Sequence, residues 1–256
     1  MEEKYLIFLN DINKDKPNEF KNINIKECPF CNRRELSDIL DEDGPFILLK
    51  NKYPTLKDTC QLVLIETYDC KGNMSEYDNE YIKRLIRFGV KNWLSFEKDN
   101  NYKSVIFYKN HGSHSGGSLK HPHMQIVGLR DIDYRLDLKD CYFEGIEIYR
   151  VNCCTVNLSY RPISGFCEFN IIIDDNLSGL DELAKSLKKI THYILNNYFA
   201  PCDSFNIFFY HWKCKIICKI TPRFSTSPLL LGYKIKQIPS AIDSIACKVK
   251  KLYFHK

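Results

Sequence analysis

The sequence predicts an α+β protein of two halves, residues 1–131 and 132–256, each an antiparallel β-sheet with one helix packed against it. Two observations carry this expectation. The order strand, helix, strand, strand occurs twice along the 256 residues. The strands also follow one another through short loops with a single helix per half, a pattern of antiparallel sheets with segregated helices rather than of parallel crossover units. The repeat is one of pattern, not of residues, so it leaves duplication and chance both open.

Taken in order, Tyr5–Leu9 reads as a short strand and residues 10–27 as irregular polar chain. Cys28-Pro29-Phe30-Cys31 makes a tight turn. Phe46–Leu49 is a short strand, followed by the turn Asn51-Lys52-Tyr53-Pro54. Gln61–Glu66 is rich in branched apolar residues and reads as a strand. The first long helix is expected from about Glu76 to Phe96, with Ser75 and Asp78 as a capping start. Ile82, Leu85, Ile86, Gly89, Trp93 and Phe96 fall on one of its faces. Val105–Tyr108 is a strand, residues 110–120 a glycine-rich loop, and His121–Leu129 a strand. In the second half Phe169–Ile173 is a strand. A helix then begins at Ser178 with Asp181 three residues on. It buries Leu180, Leu183, Leu187, Ile190 and Ile194 and ends near Phe199. Phe205–Phe209 and Ile216–Ile220 complete the strands.

The composition, 44% hydrophobic and 27% charged, is that of a globular chain large enough to bury a core without staples. The net charge of +5 suits anionic substrates. It is too small and too evenly spread to point to nucleic acid. No run of 18 apolar residues occurs, so no membrane span is expected. The N-terminal stretch lacks the basic start, long apolar core and cleavage site of a signal peptide, and a cytoplasmic location is expected. In a reducing compartment the twelve cysteines read as small hydrophobes or incidental residues unless their spacing is that of ligands.

The chemistry concentrates between Asn110 and Ile126. Alternation along a strand puts His121, His123 and Gln125 on one face, while Pro122, Met124 and Ile126 can face the core. Two imidazoles and a carboxamide side by side are costly in a core and make sense lining a site. Gly116, Gly117 and Ser118 precede them in a loop whose backbone N–H groups can approach phosphate oxygens. A neutral imidazole is a competent nucleophile toward phosphorus when its other nitrogen is held by an acceptor. A polar surface strand with incidental histidines would explain a bare His-x-His, but not one joined to Gln125 and the Gly-Gly-Ser loop. Cys28 and Cys31 follow a polar loop and precede Asn-Arg-Arg, unlike a redox Cys-x-x-Cys at a helix start, and so call for a metal.

The Asn110–Ile126 segment resembles the active-site signature of the galactose-1-phosphate uridylyltransferase branch of the histidine-triad superfamily: an Asn, a Gly-rich stretch and a Ser before His-Pro-His-x-Gln. Cys28-Pro-Phe-Cys31 resembles that family's zinc-binding motif. Lys16-Pro17 through Phe20 resembles its upstream Arg-Pro-x-x-Phe, with Lys16 where the family often has Arg. Asn51-Lys-Tyr-Pro54 resembles its nucleotide-contacting turn, and Val63-Leu-Ile-Glu-Thr67 its strand before a further zinc ligand. The resemblance covers roughly residues 5 to 130.

The resemblance implies two histidine-triad-like halves, the first catalytic and the second degenerate. It implies that His121 binds zinc and that His123 attacks the α-phosphorus to form a covalent nucleotidyl-histidine, oriented by the backbone carbonyl of His121. Gln125 would hydrogen-bond the phosphoryl group, and Ser118 and Asn110 would help hold the phosphates. Zinc wants four N or S ligands. Where the family usually draws the fourth from a His, this sequence has Cys70, giving a closed, structural site of Cys28, Cys31, Cys70 and His121. An inert Cys70, with His111 or His114 as the fourth ligand, is the alternative.

The second half has no second His-Pro-His, and only Ile220–Arg223 and Ser225–Tyr233 resemble the family's closing segment, which leaves the sugar unassigned. The implied activity is transfer of a nucleoside monophosphate from a nucleotide sugar or similar donor to a phosphate-bearing acceptor. The alternatives are a dinucleoside polyphosphate phosphorylase or hydrolase, and a zinc-stabilised nucleotide-binding protein. Members of the family commonly dimerise and complete sites between subunits, which leaves a homodimer open.

Overall fold

A computed structural model describes residues 5–21, 23 and 27–254. Residues 22 and 24–26 of the stretch expected to be irregular lie outside the described residues. The chain divides into two compact units, residues 1–73 with 84–136, and residues 74–83 with 137–256.

The first unit opens with a short helix, α1 (Asn10–Asp15), and holds five antiparallel strands: β1 (Ile39–Asp43), β2 (Phe46–Lys50), β3 (Thr59–Ile65), β4 (Ser104–His111) and β5 (His123–Leu129). Their order in the sheet is β1-β2-β3-β5-β4. Helix α2 (Asn79–Glu97) connects β3 to β4. Its predicted apolar face is the buried one, with Ile82, Leu85, Ile86 and Trp93 fully enclosed. Gly89 is required where the helix meets the sheet, because a Cβ there would lie 2.7 Å from the Phe107 ring. The Trp93 indole donates to the Val105 carbonyl at 2.9 Å, which satisfies the one polar atom of that side chain in the core.

The second unit repeats this topology element by element. Strands β6 (Gly145–Val151), β7 (Cys154–Ser159), β8 (Phe169–Asp174), β9 (Phe205–Trp212) and β10 (Lys215–Pro222) lie in the order β6-β7-β8-β10-β9. Helix α3 (Leu180–Asn196) connects β8 to β9, and its predicted face of Leu180, Leu183, Leu187, Ile190 and Ile194 is buried. Two further helices follow, α4 (Pro228–Tyr233) and α5 (Ile242–Tyr253). In both units three strands precede the helix and two follow it, and the last strand inserts beside the third. The fold is therefore α+β with two antiparallel halves, as the sequence predicts.

Several local expectations are corrected. Tyr5–Leu9 is not a strand; Phe8 makes one isolated bridge to Leu56, and Tyr5 and Ile7 are exposed. The chain expected to be irregular contains α1. Helix α2 starts at Asn79 rather than near Glu76, because Asp78, not Ser75, caps it: its carboxylate accepts from the Tyr81 N–H at 2.8 Å. Helix α3 starts after Gly179 rather than at Ser178, whose N–H donates instead to Asn176. Strand β5 begins at His123, not His121, since Pro122 has no N–H to give to a ladder.

Candidate active site and metal centre

Strand β5 lies between β3 and β4, pairing His123 with Ile65 and Gln125 with both Val63 and Tyr108. Alternation sends Met124 and Ile126 to the face that packs with Leu62, Leu64 and Phe107. Val63 and Ile65 face the other way. With Phe30, Ile47 and Leu49 they form a small apolar cluster, against which Cys28, Leu36 and Leu119 pack. His123 and Gln125 stand beside this floor, and the Phe30 ring meets both the His121 and His123 rings edge-on at 5.7 and 5.5 Å.

The His123 ring is fixed by its Nδ1, which lies 2.8 Å from the His121 carbonyl. A carbonyl can only accept, so Nδ1 carries the proton and Nε2 keeps its lone pair. Burial pushes the His123 pKa down to about 4. The hydrogen bond to the His121 carbonyl opposes the shift, and the nearby charges of Lys109 and Lys16 add to it. The ring is neutral near pH 7. The Gln125 carboxamide oxygen accepts from the Tyr108 hydroxyl at 3.0 Å.

A cleft of about 670 Å³ opens over these side chains. It is lined by every residue the sequence marks for catalysis or phosphate contact: His123, Gln125, Ser118, Gly116, Gly117, Asn110, Asn51 and Lys16. The volume is in the range of small-molecule sites. Gly116 has φ +86°, the left-handed region that favours glycine, and that lets the loop present backbone toward the cleft. Asn51 closes its own turn, its side-chain oxygen accepting from the Tyr53 N–H at 2.9 Å. Lys16 brings an ammonium whose pKa is lowered by burial, and Lys50 and Lys52 add cationic lining.

Beside the cleft, ligand atoms of Cys28, Cys31, Cys70 and His121 all lie within 4.8 Å of one another. Neither His111 nor His114 belongs to this cluster. The His121 Nε2 lies 3.0 Å from the Thr67 carbonyl, so that nitrogen is protonated and Nδ1 offers its lone pair to the cysteines. Nδ1 is 3.4 Å from the Cys28 sulfur and 3.6 Å from that of Cys31. A tetrahedral zinc with ordinary bond lengths needs S···N edges of about 3.6 Å, so the residues fit the ion. Burial, then the neighbouring Cys28 and Cys31, push the Cys70 thiol up to about 12. The Cys70 thiol therefore resists ionisation unless a cation offsets the charge. The cluster can hold a metal ion, and its donor set suits zinc. The carbonyl of Thr67 also accepts from Arg33 at 2.7 Å, which ties down the second layer of the site.

Residues 8–132 match the family described as "Domain of unknown function (DUF4931) N-terminal domain", and residues 135–254 match the corresponding C-terminal domain. The chain belongs to the DUF4931 family. A DUF4931 family protein from Bacillus cereus is similar in structure, with a TM-score of 0.79 and 46% identity over 86% of this chain and 100% of that one. A uridylyltransferase shares the fold, with a TM-score of 0.70 and 17% identity over 88% of this chain and 90% of its own. The architecture is thus that of the uridylyltransferase-like branch the sequence resembles. Among curated proteins, diadenosine 5',5'''-P1,P4-tetraphosphate phosphorylase 2 of Saccharomyces cerevisiae is 33% identical over 121 residues. That match takes in 44% of this DUF4931 chain and 35% of the yeast protein's length.

Four features of the site escape the sequence. Phe30 meets both histidine rings edge-on, although only the Cys-Pro-Phe-Cys motif marks it in the sequence. Tyr108 meets Gln125 only through the β4–β5 register. Lys109 forms a buried ion pair with Glu66 and donates to the His123 carbonyl at 3.3 Å. Arg33 is placed by a turn that no local pattern specifies.

Proposed function

We propose that this DUF4931 protein transfers a nucleoside monophosphate through a covalent bond to His123. The observation that carries the reading is the His123 ring: neutral, anchored through Nδ1, and standing with Gln125 in a cleft whose loop and lysines suit phosphates. Its Nε2 lone pair attacks the α-phosphorus of the donor. The bond from that phosphorus to the bridging oxygen breaks, and the leaving phosphate takes the electron pair. An oxygen of a phosphate-bearing acceptor then attacks the same phosphorus, and the N–P bond returns its electrons to the ring. Gln125, Ser118, Asn110 and the backbone at Gly116 and Gly117 bind the phosphoryl oxygens, where donors aimed at developing charge are the main catalytic resource. Asn51 and Lys16 hold the rest of the nucleotide. Cys28, Cys31, Cys70 and His121 would hold zinc, which would brace the chain leading into β5.

Within this reading the donor is a nucleotide sugar or a dinucleoside polyphosphate. The identity to the yeast tetraphosphate phosphorylase falls on a 121-residue match and favours a phosphorylase, in which inorganic phosphate is the acceptor. The test is to incubate the protein with a panel of nucleotide sugars and dinucleoside polyphosphates and to weigh the intact chain. An adduct of one nucleoside monophosphate, labile in acid and stable in base, is expected, and His123→Ala should abolish it. Dependence of turnover on added phosphate separates a phosphorylase from a hydrolase. Near-normal turnover by His123→Ala would show the histidine mechanism to be wrong.

A further inference from the structure

We propose that Tyr108 is a positioning residue for nucleotidyl transfer, holding the Gln125 carboxamide so that its nitrogen, and not its oxygen, is presented to the phosphoryl group. The proposal rests on the function proposed above.

A glutamine side chain ends in two groups of nearly equal size and opposite hydrogen-bonding sense. Toward a transferring phosphoryl group only one orientation helps. The group's oxygens accept and do not donate, so Nε2–H facing them is favourable, whereas Oε1 facing them sets lone pair against lone pair. Something must therefore choose the orientation. The β4–β5 register makes Tyr108 the cross-strand partner of Gln125, which puts the two side chains on the same face of the sheet. The Tyr108 hydroxyl donates to Oε1 at 3.0 Å. Burial pushes the phenol up to about 12, so it keeps its proton across the working range. With Oε1 engaged, Nε2 is the end left to turn to the cleft that Gln125 lines. In the flipped amide Nε2–H would donate to the phenol oxygen, leaving the phenol proton without that acceptor and turning Oε1 toward the cleft. Tyr108 does not itself line the cleft, so it acts through Gln125 rather than on the substrate.

A plain packing role for the tyrosine ring predicts something different, and a double-mutant cycle separates the two. Tyr108→Phe keeps the ring and removes only the hydroxyl. With diadenosine tetraphosphate or ADP-glucose plus inorganic phosphate as the probe pair, Tyr108→Phe should lower kcat about tenfold with KM within about twofold. The thermal midpoint should change little. In the Gln125→Ala background, already slow, Tyr108→Phe should add no further loss, because the group it orients is gone. An unchanged kcat for Tyr108→Phe would overturn the proposal, as would the same fold-loss in both backgrounds. His123→Ala, run in parallel, tests the underlying reading by itself. If it retains turnover, or if the wild type acts on no nucleotide sugar or dinucleoside polyphosphate of the panel, the transfer mechanism fails and this proposal falls with it; if it is dead while Tyr108→Phe is unaffected, only the role of Tyr108 is refuted.

Discussion

Lys109 lies buried between the Glu66 carboxylate and the backbone carbonyl of His123, and its ammonium donates to both. Both side chains of the pair are inaccessible to water. Attraction in such a place offsets a large desolvation cost, and breaking one partner leaves a bare charge. Glu66→Gln should therefore lose about 3–5 kcal/mol of stability in urea denaturation. A loss below about 1 kcal/mol would show that other groups satisfy the ammonium.

The metal cluster predicts a contrast between two cysteines. Cys70→Ser should lower bound zinc well below one per chain and reduce the thermal midpoint, because ligands distant in sequence make metal affinity part of folding free energy. Cys60→Ser, a partly buried thiol outside the cluster, should do neither. Elemental analysis of chelator-washed protein decides it, and equal zinc in the two variants would remove Cys70 from the ligand set.

Acid sensitivity should arise in part from Glu168 in the second unit. Burial alone would raise its carboxyl pKa. The Lys219 ammonium at 2.9 Å and donors from Ser164 and Ile163 overcome that and hold it below the usual range. A depressed folded-state pKa makes this stabilisation complete above the unfolded carboxylate value of about 4.3, and lost as pH falls through the lower folded value. Thermal midpoints of the wild type should fall below about pH 4. Glu168→Gln should be less stable near pH 7 and should show a shallower acid slope. Parallel slopes for the two proteins would contradict the assignment.

Gly89→Ala sets two effects against each other. Alanine in a helix interior is worth about 1 kcal/mol over glycine. The new methyl would meet the Phe107 ring at 2.7 Å and a Leu64 methyl at 3.3 Å, in a core where Phe107 is itself enclosed and packs against Trp93. Overpacking of this kind costs about 1–3 kcal/mol. The variant should come out net destabilised in a thermal or urea melt, and a rise in midpoint would show that the ring yields freely.

What could be read from the sequence was what lies contiguous in it. The His121–Gln125 run and the loop before it sit within fifteen or so neighbouring positions, so alternation alone orders their side chains. The faces of α2 and α3 were legible for the same reason, since period 3.6 over a long window is a strong signal. Strand β1 was not, because it lies at a sheet edge with its two apolar residues exposed ahead of a run of three acidic ones; nor was the β6–β7 hairpin, whose β6 alternates weakly in burial. The contacts of Tyr108 and Lys109 depend on register between strands, and Arg33 on a turn meeting the chain after β3. Such relationships are set by tertiary pairing, which no single stretch encodes.

The two units differ where their last two strands join. In the first, the chain from Gly112 to Pro122 separates β4 from β5 and carries the glycine-rich loop. In the second, β9 reaches β10 through Lys213 and Cys214 alone, both at positive φ, a tight hairpin of the kind whose twist matches the strands. A turn that short has no backbone to spare for an anion. One asymmetry between the two sheets can thus be stated as the length of one connection. An insertion at Lys213–Cys214 would be the economical route by which an ancestor, or an engineer, could give the second sheet a cradle of its own.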